Sequence, residues 1–427
     1  MIADPNDGII DLTAAARRLE RDALGPRAIP AGARYGIHTL RAVEALSVST
    51  HRLSDHPDLV RALGAVKQAA ARANGDAGAL SATPARAIDR AAALLTTNDP
   101  AVVPDLIADL LGGGGSIAVH MNVNEVIANL ANEALGQPLG AYDPVSPKTH
   151  VSASQSTADV CHTASRLAIH AGLQRFDAAL DHLIETLARL VRRVDGTTTL
   201  ARTCLQDAMV APAGLIFDGA AAALGRRRTA LQRAAEMLDG VTLGGTVIGT
   251  GAGAPALYRE RVVPHLCEVT GRSLFLHPHR ASALQHSDDL VAIAAELAGV
   301  VQITTKLASD VRLLASGPHG GFGELVVPHV MEGSSFFGDK RNPVVAETMI
   351  AAGMQVLGHE AAVRAAASRA ELHLQVFDNV AVVNVLDGVT LLTAAIDRFD
   401  RGCLTDLELD ELRNAELTAF VTPADRP

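Results

Sequence analysis

A mostly α-helical fold built around long, packed helices is what this sequence predicts, and three observations predict it. Apolar residues recur at every third or fourth position through 158–194, 287–316 and 344–368. The first of these stretches is free of proline and carries a single glycine, Gly172. Periodic helices much longer than about 25 residues in a soluble chain read as a coiled-coil-like bundle. The run AIAAELAGVV inside 287–316 is apolar nearly all round. Such a helix has to be buried, so the bundle is expected to continue into further copies of the chain. One large monomeric bundle is the alternative.

Taken in order, the elements fall into three segments. Residues 1–148 hold shorter helical runs broken by Pro and Gly, as in IPAGARYG and LTTNDPAVVPD. Residues 149–400 hold the long helices and form the central bundle. Residues 401–427 are a short, acidic, helical end. No internal repeat is apparent.

Composition excludes several classes of partner. The 427 residues carry a formal charge of −10, so no basic stripe is available for nucleic acid. Trp is absent and aromatics make up 3%, which leaves few platforms for stacking bases. The start, MIADPNDGIIDL, lacks a basic segment followed by an apolar one, so no signal peptide is expected. No unbroken apolar run reaches the roughly 18 residues of a membrane span. Cys161, Cys204, Cys267 and Cys403 are far apart and form no CxxC pair. That usage suits a reduced, cytoplasmic protein without structural zinc.

Neither a metal nor a cofactor is expected. His277 and His279 straddle a proline and have no third ligand nearby. LGGGGSIAVHMN (111–122) lacks the Lys and Ser/Thr of a P-loop, and LGGTVIGTGAGAP (243–255) lacks the GxGxxG spacing and a βαβ setting. Glycines in both stretches instead suit tight turns or close backbone approach, as candidate walls of a pocket.

Separated blocks in a fixed order carry the functional reading. They are YGIHTLRAVE (35–44), MNVNEVIANLANE (121–133), HVSASQSTADVCHTA (150–164), ARTCLQDA (201–208), GGTVIGTG (244–251) and GSSFFGDKRNP (333–343). Together they resemble the aspartase/fumarase superfamily, on its aspartase branch, from about residue 30 to 400. The resemblance implies a homotetramer whose long central helices form a twenty-helix core, with each active site gathering loops from three subunits. It implies anti-elimination from a substituted succinate to give fumarate, the substituent leaving as a nitrogen group.

By that resemblance Ser334 is the base that removes a proton next to a carboxylate, and Lys340 with Asn342 clamps that carboxylate. Arg41 corresponds to the residue holding the other carboxylate, and Ser156, Thr157 and Thr203 to hydroxyl donors of the same pocket. Cys204 stands where fumarases carry a histidine, and is either a catalytic acid or a small buried filler. The chemistry needs such groups, because the intermediate gathers two negative charges on one carboxyl group. The Gly333–Ser335 amides and Lys340 are expected to lower the pKa of the Ser334 hydroxyl. Taken singly, each of these residues is also a common surface feature.

Departures from the family pattern cluster on the substrate. Ala158 replaces an Asn that contacts the departing amine, and Ile117 and Val119 replace hydroxyl-bearing residues. Gly338 replaces the signature proline, Phe336 and Phe337 replace slimmer side chains, and Gly253 replaces an Asn. A pocket with so few acceptors suits aspartate less than an N-modified succinate, since an unsatisfied buried ammonium is costly. Two alternatives stay open: a fumarase-type hydratase, weakened by the missing histidine, and an inactive tetrameric binding or scaffold homologue.

Overall fold

The computed structural model describes residues 16–419. The segment MIADPNDGIIDL and the last eight residues of the acidic end lie outside them. In chain order the hairpin strands β1 (Arg17–Asp22) and β2 (Gly25–Pro30) come first. Helices α1 (Ile37–Leu46), α2 (Pro57–Asp76), α3 (Ala82–Thr96), α4 (Ile117–Ala134) and α5 (Thr157–Arg193) follow. Then come β3 (Thr198–Thr203), β4 (Gln206–Pro212), α6 (Leu215–Glu236), β5 (Gly240–Val241), α7 (Ala256–Thr270), β6 (Phe275–Leu276) and α8 (Arg280–Gln285). The chain continues through α9 (Asp288–Leu314), β7 (Leu325–Val326), α10 (Val344–Ala367), α11 (Asp378–Phe399), β8 (Glu408–Leu409) and α12 (Glu411–Ala419).

The three long periodic stretches are α5, α9 and α10, with ends within two residues of those read from the sequence. The fold is mostly α, as the periodicity predicts. The sheets are two-stranded pairs among the described residues. The periodicity did not single out α11, whose run VAVVNVLDGV is rich in β-branched residues that fit a strand as well as a buried helix.

Two compact units emerge, each assembled from discontinuous stretches. They cut across the division by chain order into 1–148, 149–400 and 401–427. The first takes the described part of Met1–His170, Leu238–Asp288 and Ala365–Val383. Here α2 packs on α3 and α7, while α1 and α3 pack on α4. Pro57 opens α2, where its missing N–H costs nothing and its fixed φ suits the first turn. Glu125 of α4 accepts the N–H groups of Gly36, His38 and Thr39 and the Thr39 hydroxyl. One buried carboxylate thereby caps the start of α1.

The second unit takes Ala171–Met237, Asp289–Arg364 and the described part of Asn384–Pro427. Arg228 of α6 grips Asp177 of α5 through two bonds of 2.8 Å, and Arg227 reaches Glu296 of α9 at 3.1 Å. Helices α9 and α10 approach closely at Gly353, where a Cβ would stand 2.7 Å from Thr305 Oγ1 and 3.0 Å from Val301. The β3–β4 hairpin packs against α12.

One expectation is corrected. By length and composition, Asp288–Leu314 and Asp378–Leu404 are apolar enough to cross a membrane. A search for unbroken apolar runs misses them, because scattered polar residues interrupt windows whose average is high. The apolar windows of the two segments are 50% and 56% buried inside the chain, which is the pattern of core helices.

Candidate functional site

Residues 333–342 form a closed turn between β7 and α10. Ser334 Oγ accepts the N–H groups of Phe336 at 3.1 Å and Phe337 at 3.0 Å. This is the local bond a serine makes to backbone two and three residues on. The Asn342 carboxamide donates to the Gly333 carbonyl at 2.6 Å, closing the loop. Gly333 has to be glycine: a Cβ there would stand 2.1 Å from the Lys340 carbonyl and 2.9 Å from the Asn342 nitrogen. Ser334 and Asn342 therefore share one loop whose ends touch. The amides aimed at Ser334 belong to Phe336 and Phe337 rather than to the Gly333–Ser335 turn. Lys340 is exposed, and the Phe336 and Phe337 rings meet edge to face at 4.8 Å.

Thr203 and Cys204 lie at the β3–β4 hairpin of the same unit. Cys204 (φ 53°) and Leu205 (φ 59°) form its two-residue turn, both in the left-handed region. Hairpins with that turn normally use Asn or Gly, so holding two other residues there costs roughly 1–2 kcal/mol apiece. The Cys204 thiol is exposed, which does not fit the buried-filler role. Beside it Arg202 ion-pairs with buried Glu324 at 2.7 Å and lies 4.5 Å over the Phe322 ring.

Ser156 and Thr157, in the first unit, sit at the start of α5. Ser156 Oγ accepts the Ala158 N–H at 3.3 Å, and the Thr157 hydroxyl stands 2.8 Å from His120 Nδ1. Thr157 and Ala158 line a cavity with Ser116, Cys161, Asp378 and Asn379. Asp378 is held by Arg166 and by the Ser287 hydroxyl. Ile117 is exposed as the first residue of α4, whereas Val119 is buried and lines an adjoining cavity.

Asp159, fully buried two residues further on, accepts the N–H groups of Ser156 (2.9 Å), Gly244 (3.1 Å) and Thr246 (2.9 Å). Burial pushes its carboxyl up to about 6 against the pull of those amides. One side chain thus fastens the 156–157 turn to the glycine-rich 243–253 stretch.

Arg41 does not stand free. Its Nε and Nη2 donate to Asp22 at 2.8 and 2.9 Å, and Nη2 also reaches the Gly25 carbonyl at 2.8 Å. Its guanidinium holds the Asp22 carboxyl below the usual carboxylate range.

Sequence reasoning missed Lys67, His120 and Asp159. Lys67 did leave a signal, as a lone cation within the apolar run LGAVKQAAA at a core-facing position of α2.

Comparison with known proteins follows the same lines. A family model described as Lyase matches residues 25–358. An aspartate ammonia-lyase from Pseudomonas fluorescens is 36% identical over 406 residues, covering 95% of this chain and 84% of that protein. A solved fumarate lyase:delta crystallin from Brucella melitensis, bound to cobalt, superposes with a TM-score of 0.90 at 36% identity, covering 94% of this chain and 87% of its own. A class II fumarase from Schistosoma mansoni superposes with a TM-score of 0.89 at 25% identity, covering 94% and 87%. The chain belongs to the aspartase/fumarase superfamily of lyases.

Proposed function

We propose that this protein is a carbon–nitrogen lyase that eliminates ammonia from aspartate to release fumarate, with Ser334 as general base. The observation that carries the reading is the pair of backbone amides directed at Ser334 Oγ within a loop closed by Asn342. Lowering a serine hydroxyl by about six pKa units requires about 8 kcal/mol. Two hydrogen bonds to a charged oxygen contribute roughly 3–6 kcal/mol of that. Lys340, brought in on substrate binding, supplies the remainder while clamping the reacting carboxylate together with the second N–H of Asn342. By the resemblance, Ser156, Thr157, Thr203 and Arg41 hold the rest of the substrate on loops contributed by different subunits, and Arg41 must first exchange Asp22 for the substrate's carboxylate. Cys204 is the candidate acid for the departing group.

Ala158 favours a second substrate class. It lines its cavity beside Leu284, Leu374 and Val376 as well as Asp378 and Asn379, and its methyl adds no donor or acceptor to that lining, which makes an N-modified succinate the second substrate to test. Ultraviolet absorbance of fumarate tests both substrates. The protein is expected to generate it from aspartate or from nitro-, hydrazino- or N-alkyl-succinate. Absence of signal from the entire panel sinks the lyase reading.

The chain acts as a cytoplasmic homotetramer in this proposal. Helix α10 leaves Met354 67% and Leu357 41% exposed, beside Ala351, Gly358 and Ala361 on the same face. An apolar stripe of this kind on a long helix calls for a partner helix. Met354→Glu is expected to convert the assembly to smaller species in sedimentation velocity and to abolish fumarate release. An unchanged, active tetramer rules this face out as an interface.

A further inference from the structure

A buried polar chain runs behind Thr157. The Lys67 ammonium, 1% exposed, reaches three acceptors: Gln155 Oε1 at 2.8 Å, His120 Nε2 at 2.8 Å and the Val151 carbonyl at 3.5 Å. The direction of the first bond is fixed, because the Gln155 amide nitrogen donates to the Val151 and Ala153 carbonyls at 2.9 and 3.0 Å. Its oxygen is therefore the end that faces Lys67. An ammonium has protons and no lone pair, so it can only donate to His120 Nε2. The neutral imidazole then carries its proton on Nδ1 and donates it to the Thr157 hydroxyl, 2.8 Å away. Among the described residues His120 is the hydrogen-bond partner of that hydroxyl. A hydroxyl that accepts from the ring keeps its own proton for the cavity that Thr157 lines.

We infer that Lys67 and His120 are positioning residues that fix the Thr157 hydroxyl as a hydrogen-bond donor toward a carboxylate oxygen of the substrate. The inference rests on the lyase reading for the identity of the ligand, and on the bond directions for everything else. The chain is also reversible. A neutral Lys67 amine can accept a hydrogen bond from Nε2–H of the other neutral tautomer, which leaves Nδ1 a lone pair and turns the Thr157 proton back toward the ring, away from the cavity.

Burial brings that reversal within range, since it lowers the Lys67 ammonium to about 7 and holds His120 neutral well below its ordinary range. The charged groups facing Lys67 are Asp159 and Cys161 of α5, and both favour the ammonium. Burial pushes the Cys161 thiol up to about 12, so Asp159 supplies the charge near neutrality. Affinity for a dicarboxylate is therefore expected to fall as pH rises through the Lys67 transition.

Substitutions separate the two ends of the imidazole. An Asn carboxamide overlies the Nδ1 end and keeps a donor for Thr157, whereas Gln overlies the Nε2 end and keeps only the Lys67 contact. Succinate, a dicarboxylate without a leaving group, serves as the probe in calorimetry on the full chain. His120→Asn is expected to bind it within about threefold of wild type, and His120→Gln about tenfold more weakly, equivalent to about 1.4 kcal/mol. Equal weakening by both, or none by either, overturns the inference.

Nitrogen chemical shifts of His120 supply the readout that a purely structural role would leave unmoved. Wild type at pH 6 is expected to show the Nδ1-protonated tautomer, and Lys67→Met a mixture. The Nε2-protonated form in wild type at that pH overturns the inference even in a fully active enzyme. Failure to release fumarate sinks the lyase reading alone, and the tautomer and succinate data still decide the relay.

Discussion

Ser334→Ala is expected to lower kcat for fumarate release by about 10²–10⁴, the range for removal of a positioned general base, with KM changed little. The argument is one of charge. The proton lost from carbon is weakly acidic, and among the described residues the groups pre-aimed at Ser334 Oγ are the amides of Phe336 and Phe337. Alanine leaves those amides pointing at nothing and provides no atom that can take a proton. Because the loop is closed independently by Asn342 and Gly333, the substitution should leave the fold intact. Steady-state kinetics and circular dichroism check it together. A rate within tenfold of wild type, in a folded variant, transfers the role of base to another residue.

Asp159→Ala should produce the largest loss of stability, about 3–5 kcal/mol in chemical unfolding. Two buried amides, those of Gly244 and Thr246, and the part-buried amide of Ser156 would lose their common acceptor, and each buried group left unsatisfied costs about 1–3 kcal/mol. Partial relaxation keeps the sum below the maximum. The pH dependence has a definite sign. Burial raises the Asp159 carboxyl from 3.8 to about 6, so the folded state binds its proton more tightly than the unfolded state. The associated stability is fully present below about pH 4 and is lost as pH rises through about 6. Against an Asp159→Asn variant, wild type should therefore lose up to about 3 kcal/mol across that window. Parallel stability curves for the two proteins between pH 4 and 6 refute the assignment.

The long helices were legible because α5, α9 and α10 repeat their apolar residues at helical spacing over many turns. Short range order sets that pattern, and it survives without knowledge of the neighbours. The β3–β4 hairpin was not legible, since Cys204-Leu205 occupies a turn that Asn-Gly would have announced. Helix α11 stayed ambiguous for a related reason: its β-branched run fits two periods. Of the candidate site, the blocks that resemble the family gave Ser334, Asn342 and Thr157 their places in the argument. The direction of the hydrogen bonds around them was hidden. Nothing in GSSFFGD says which amides turn toward the serine, and nothing in HTLRA says that Asp22 already grips Arg41.

What the sequence determined by itself is the helical class, the extent of the longest helices and the superfamily, because periodicity and ordered motif blocks are properties of the chain read locally. Tertiary structure alone decided the partners of the buried charges. Lys67 and His120 are 53 residues apart, and Asp159 and Thr246 are 87 apart. Such pairs meet only when packing strips both groups of water, and it is that desolvation, absent from any local pattern, that moves their protons.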